Sequence, residues 1–356
     1  MNSTILFSPV KLGKVEVANR IALAPMCMGL YNSDGTVTRE TIPYIEARAR
    51  GGVGLIISQA SRATKYQTFP QIGSYADKFI PSLKEYAEAA HKYGAKMMLQ
   101  ITAMGGVDPF GSYSPSAIDI PWYPAIPKEL TREQIGEIID DFAQAALRAK
   151  KAGMDGVELH GAYGYLLAEF ISPFSNKRKD EYGGSFEGRM QAPVQILRGI
   201  RSACGKDFPV GFKFNAHEEL PGGVDLALAA KIAHRMIDEG VAYLHPVSMA
   251  SSLSTLGLSR YPAMPILYHR QDVTLPLTEA VKSSAGDVPV IAAGGITDPV
   301  FAERIVASGK ADIIALGRAL LADPYWVNNV MAGKRFRPCV RCNVCHYEAI
   351  AKANGI

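Results

Sequence analysis

Across residues 21–321, short apolar runs rich in β-branched residues alternate with longer amphipathic stretches. Runs of that length read as strands and the stretches between them as helices, so the alternation predicts βα units around a parallel sheet. Eight runs carry the pattern: 21–25, 53–59, 96–101, 156–160, 209–214, 242–247, 288–292 and 312–316. Their nearly continuous apolar character predicts burial on both faces, as a closed parallel barrel requires. Thr131 and Gln134 form a capping-box pattern ahead of Ile135, Ile138, Ile139, Phe142 and Ala146, the spacing of one buried helical face. Asp298-Pro299 supplies an N-cap followed by proline at the first helical position. Ahead of the first run, Val10-Lys11-Leu12 and Val15-Glu16-Val17 flank Gly13-Lys14 and predict a hairpin that plugs the barrel floor.

The fold expected is therefore α/β, an eight-stranded parallel (β/α)8 TIM barrel closed below by that hairpin; an open doubly wound sheet is the alternative that alternation alone leaves standing. At 356 residues the chain could hold two average domains. Barrels of this kind fill roughly 250 residues or more as one unit, so a barrel domain over 1–335 and a cysteine-bearing tail over 336–356 are expected. Two connections, 102–130 and 161–185, exceed what a barrel needs, and long loops in compact domains usually serve function.

Composition narrows the partners. With 48% hydrophobic and 20% charged residues, the chain can bury a large core. Its net charge of +4 is small, and no long basic run interrupts the mixture, which argues against nucleic acid or a membrane surface as partner. The first residues lack the apolar stretch of a signal peptide, and no run of eighteen apolar residues occurs. A cytoplasmic enzyme acting on a small molecule, assembled as a homo-oligomer, is the expectation. The five cysteines do not form a disulfide framework: Cys27 and Cys204 are isolated, while Cys339, Cys342 and Cys345 cluster near the end.

Barrel enzymes place their chemistry just after the strands. Gly294-Gly295 and Gly317-Arg318 follow the last two runs, where many barrels bind phosphate: glycine lets backbone N–H groups approach the anion, and arginine adds a charge-assisted contact. A tight turn and a surface arginine are the plainer account of the same residues.

Local motifs go further. Leu6-Phe7-Ser8-Pro9, Val17-Ala18-Asn19-Arg20-Ile21 and Ala24-Pro25-Met26-Cys27 resemble the opening of the old yellow enzyme family of NADH:flavin oxidoreductases. The stretch from His160 through Leu167, then Phe170-Ile171-Ser172-Pro173, Ser175-Asn176-Lys177-Arg178 and Asp180 through Ser185, is similar to the family's most distinctive block. Cys27 resembles the single-domain bacterial branch, whereas the terminal cysteines resemble the barrel domain of 2,4-dienoyl-CoA reductases.

The resemblance implies an FMN-dependent oxidoreductase that passes hydride from NADH or NADPH through the flavin to the activated C=C bond of an α,β-unsaturated carbonyl. It implies that Ala24, Pro25, Met26, Cys27, Ala60 and Gln100 line the flavin, and that Gly294, Gly295, Gly317 and Arg318 hold its phosphate. Lys213, mid-run in an apolar strand, would stabilise the reduced flavin's negative charge, where relatives carry arginine. Tyr165 would deliver the proton, and His160 with Tyr163 would hold the carbonyl. Tyr163 departs from the second His or Asn of most relatives, and Ala103 and Gly106 replace a frequent His and Arg. Amine dehydrogenation or demethylation is thus a rival chemistry, and a phosphosugar-type isomerase barrel without flavin is the alternative of another class. Cys339, Cys342 and Cys345 suggest a 4Fe-4S cluster or zinc, short of one ligand unless His346 or a residue beyond Ile356 supplies it.

Overall fold

The structure is a computed structural model that describes residues 4–121, 123–249 and 259–347. The chain opens with the expected hairpin, Val10–Leu12 paired antiparallel with Val15–Val17. Eight parallel strands follow: β1 (Ile21–Leu23), β2 (Leu55–Ile57), β3 (Lys96–Thr102), β4 (Gly156–Gly161), β5 (Val210–His217), β6 (Tyr243–Ser248), β7 (Ile291–Ala293) and β8 (Ile313–Leu316). Each overlaps one of the eight predicted runs, with Val210–His217 extending three residues past its expected end. Hydrogen-bonded neighbours run β6, β5, β4, β3, β2, β1, β8, β7. A parallel bridge between Leu244 and Val290 then returns β6 to the start of β7. That bridge excludes the open sheet, which would leave two free edges, and the fold is a (β/α)8 TIM barrel.

Helices α1 (Thr41–Arg50), α2 (Ile80–His91), α3 (Arg132–Lys151), α4 (Phe186–Cys204), α5 (Leu226–Asp238), α6 (Leu275–Lys282) and α7 (Pro299–Ala307) form the outer ring, completed by the short helices Arg318–Ala322 and Trp326–Met331. Their starts follow the local chemistry. Thr131 accepts from the Gln134 amide while the Gln134 side chain accepts from the Thr131 amide, and Asp298 accepts from the amides of Val300 and Phe301. Each such cap is worth about 1 kcal/mol.

Two apolar layers hold the barrel. Between strands and helices lies the larger core, with Leu23, Ile56, Leu99, Leu159, Phe212 and Ile314 facing Ile45, Leu83, Phe142 and Ile232. Inside the barrel, Val10, Leu12 and Val17 of the hairpin pack on Ala22, Leu55, Ile57, Met98, Tyr243, Ile291 and Ile313. The hairpin therefore is the floor. Gly211 makes room for the largest of these groups: a Cβ there would lie 2.0 Å from the Tyr243 ring.

The long connections carry short elements of their own. Residues 102–130 contain a 3-10 turn, Gly105–Val107, and a small ladder of Tyr113–Ser114 with Lys128–Glu129; residues 161–185 contain the helix Leu166–Ile171. Among the described residues no helix is long and apolar enough to cross a membrane.

Candidate active site

Toward the C-terminal ends of the strands the barrel interior changes from apolar to polar. Side chains two residues apart on a strand share a face, so the positions above Met98, Gly156, Gly211 and Tyr243 are Gln100, Glu158, Lys213 and His245, all buried. Register sets them side by side: Gln100 pairs with Glu158, and His160 with Lys213 and Lys213 with His245. The Gln100 side-chain nitrogen donates to Glu158 Oε1 at 2.7 Å, and His245 Nδ1 lies 3.0 Å from Glu158 Oε2. Burial alone would raise the Glu158 carboxyl, but His245 and Lys213 outweigh it and hold the group below its ordinary range. Glu158 is thus an ionised carboxylate at the barrel centre.

The mouth above this layer is built by the turn after β4. Tyr163 adopts φ +61°, an uncommon conformation for a bulky residue. Its amide donates to the Asn215 side-chain oxygen at 3.0 Å, and the Asn215 side-chain nitrogen donates to Glu218 at 3.2 Å. This clasp turns three aromatic rings together: the centroids of His160 and Tyr165 lie 4.7 Å apart, and those of His160 and Tyr163 5.5 Å. The Lys213 ammonium sits 4.4 Å from the Tyr163 ring centroid, a cation–π contact. Among the described residues no carboxylate comes within 4.0 Å of that ammonium.

Protonation states follow from burial and geometry. His160 Nδ1 accepts from the Ala162 amide at 3.3 Å, so a neutral ring carries its proton on Nε2. Burial first and the Lys213 charge second push the His160 pKa well below the usual histidine range, which keeps the ring neutral. Burial likewise raises the Tyr165 phenol, with Cys27 and Tyr163 adding to it, so Tyr165 holds its proton throughout the neutral range. One donor and one proton reservoir therefore stand side by side.

The glycine pairs also meet. β7 and β8 are neighbours, with Ala293 opposite Ala315, so Gly294-Gly295 and Gly317-Arg318 leave the barrel together. Gly294 and Gly295 take φ +103° and +76°, and a Cβ at Gly294 would lie 2.7 Å from Thr274 Oγ1. Only glycine fits at Gly294, where the positive φ and the close approach of Thr274 leave no room for a side chain. A Cβ at Gly317 would lie 3.0 Å from Met26 Sδ and 3.9 Å from Ala24 Cβ, which joins the segment after β1 to the same corner. Cys27 is exposed beside it. Gln59, at the end of β2, accepts from the Met28 amide and donates to the Leu30 carbonyl, pinning this segment next to Ala60.

Arg318 stands differently from expectation. Its guanidinium donates to Asn343 of the tail, and the thiols of Cys339, Cys345 and Cys342 lie close enough to act on its charge. The tail thus returns to Arg318, at the end of β8. Among the described residues no three His, Cys, Asp or Glu side chains come together as a metal site. Cys339, Cys342 and Cys345 are not gathered into such a group among the described residues, although all three lie within electrostatic reach of Arg318.

Glu158 and His245 were missed as site residues by the sequence reading. The signal was present: an acid two residues before His160 in a buried strand must face the same interior as the histidine.

A family model described as the NADH:flavin oxidoreductase / NADH oxidase family matches residues 5–336, and the chain belongs to that family. It is 40% identical over 358 residues to the NADH oxidase of Thermoanaerobacter brockii, covering 95% of this chain and 53% of that one. It is also 34% identical to the NADPH dehydrogenase of Listeria monocytogenes, covering 91% of this chain and 93% of the relative. Among solved structures, a 2-naphthoyl-CoA reductase bound to 2-naphthoyl-CoA superposes with a TM-score of 0.88 at 29% identity, over 97% of this chain and 55% of the other. A morphinone reductase variant with tetrahydroNAD gives 0.78 at 26% identity, over 94% and 92%. The chain spans about half the length of several of these relatives. Membership sets aside the isomerase barrel and implies FMN with a nicotinamide reductant.

Proposed function

We propose that the chain is an NAD(P)H-dependent ene-reductase, with a barrel domain over 1–335 and a cysteine-bearing tail after it. The observation that carries this is the pairing, at the barrel mouth, of a neutral His160 presenting Nε2–H with a neutral Tyr165 phenol 4.7 Å away between ring centroids. A hydrogen-bond donor polarises a carbonyl, and a proton source beside it completes addition across the conjugated C=C bond.

When bound, FMN supplies two-electron hydride chemistry that no side chain can perform. The residues present suit it: Lys213 is a buried cation with no ion pair among the described residues, and the Gly294 cradle excludes a Cβ. Gly294, Gly295, Gly317 and Arg318 would hold the phosphate, and Ala24, Pro25, Met26, Cys27, Ala60 and Gln100 would line the ring. Lys213 would place positive charge against the reduced ring, acting as a point charge where arginine would form a planar fork. His160 and Tyr163 orient the substrate carbonyl, and Tyr165 donates its proton to the carbon next to that carbonyl. The curated relatives' names span both reductases and a dimethylglycine/sarcosine dehydrogenase, so the test must separate two chemistries. Anaerobic flavin-loaded protein, reduced with NADH or NADPH, is mixed with cyclohexenone; return of the oxidised flavin spectrum is expected. Bleaching of the oxidised protein by sarcosine, with no reoxidation by the enone, would overturn the reading in favour of amine dehydrogenation.

A further inference from the structure

One buried titratable pair in the barrel takes no part in the reaction just outlined. Glu158 and His245 are each essentially inaccessible to solvent, at 0% and 1% exposure. Glu158 accepts from Gln100 through Oε1 and faces His245 Nδ1 through Oε2. With the carboxylate ionised, Nδ1 is the protonated ring nitrogen and Nε2 is left as a bare acceptor. Nε2 is buried and makes no hydrogen bond among the described residues.

An unpartnered buried nitrogen of this kind costs free energy and calls for a function. The charges around it give one. Glu158 and His160 face the ring from β4, Lys213 from β5 and Tyr243 from its own strand; the inward positions of β7 and β8, Ile291, Ala293, Ile313 and Ala315, carry no charge. Burial outweighs the pull of Glu158 and lowers the His245 pKa, so the ring is neutral and the Lys213 cation and the Glu158 anion cancel. A further negative charge at the mouth would leave the interior with an uncompensated anion, and Nε2 is the open position where a proton can offset it.

We infer that His245 takes up one solvent proton at Nε2 each time the bound flavin is reduced, coupling electron transfer to protonation of the Glu158–His245 pair. This rests on the flavin reading above. Hydride from NAD(P)H carries two electrons and one proton to the ring, the nicotinamide departs oxidised, and the ring gains one negative charge. The proton at Nε2 comes from water and restores neutrality; it returns to water when substrate takes the hydride. His245 acts on the flavin through the charge it holds.

Two measurements test this on FMN-loaded protein. In weakly buffered anaerobic solution with a pH indicator, reduction by one equivalent of NADH is expected to take up close to one proton per flavin in the native protein and none in His245→Gln. The midpoint potential is expected to fall by about 59 mV per pH unit near neutrality in the native protein and by about 30 mV in the variant, since each proton per two electrons contributes ~29.6 mV. Uptake that persists in His245→Gln would place the proton on the flavin and overturn the inference, as would native protein that bleaches without taking up a proton. His245→Asn serves as a second variant, with the visible spectrum reporting that the site is intact. If neither variant folds, the native proton count decides. Protein that binds no flavin would sink the functional reading itself, which is a separate outcome.

Discussion

At the scale of single residues, His160 and Tyr165 lie in one block yet are assigned different work by their surroundings. Burial keeps both neutral, and the Ala162 amide fixes the histidine's tautomer. Replacing Tyr165 by Phe removes the proton without disturbing the ring contact. It is expected to slow reoxidation of the reduced flavin by enone by about 10²- to 10⁴-fold, the range of a general acid, while reduction by NAD(P)H is unchanged in stopped-flow traces. Equal loss in both half-reactions would show that Tyr165 shapes the pocket instead. Lys213→Met addresses the flavin's charge. A unit charge at roughly 5 Å in an effective dielectric of about 20 contributes ~3 kcal/mol, equivalent to ~70 mV for a two-electron couple. The variant's midpoint potential should fall by that order, and an unchanged potential would place the lysine elsewhere.

At the scale of elements, the strands were legible because a barrel strand buries both faces and so writes a continuous apolar run. The same rule hid the polar interior. Glu158 and His245 sit within runs whose neighbours face the helices, and counting hydrophobicity along the run averages the two faces together; only the two-residue period separates them. The glycine corner was legible for the opposite reason, since Gly294-Gly295 and Gly317-Arg318 fall at the corresponding ends of two consecutive runs, which a barrel makes neighbours. What the sequence did not show was the tail's return: Asn343 and the cysteines reach Arg318 through a contact 25 residues apart, which no local pattern encodes. The corner's geometry leads to a direct expectation. Gly294→Ala meets Thr274 Oγ1 and demands φ +103° of an alanine, so FMN affinity measured by fluorescence quenching should drop at least tenfold. Gly309→Ala, with φ +71° but nothing within 4 Å, shares the backbone cost and should leave affinity intact.

For the whole molecule, two carboxylates in the mouth-forming connections set opposite limits on stability with pH. Asp180 is held at about 2 first by its hydrogen bond with Arg178, itself anchored to the Pro115 and Leu130 carbonyls. Because its folded value lies below the ordinary aspartate value, its contribution is complete above about pH 4 and is lost as pH falls toward 2. Glu169 behaves in reverse. Burial raises its carboxyl to about 8, against the opposing hydrogen bonds from the Tyr123 hydroxyl and the Gly106 amide. A raised acid binds its proton more tightly folded than unfolded, so the stability tied to it is full below the unfolded value near 4 and drains away as pH rises toward and through 8. Glu169→Gln keeps the shape and can still accept those two hydrogen bonds, yet has no proton to lose. Thermal unfolding followed from pH 5 to pH 9 should therefore show the native protein losing Tm steadily on the alkaline side while the variant's curve flattens. Parallel curves would mean that Glu169 is already ionised in the folded protein, and that the connection over 102–130 is held down by an anion instead of a neutral acid.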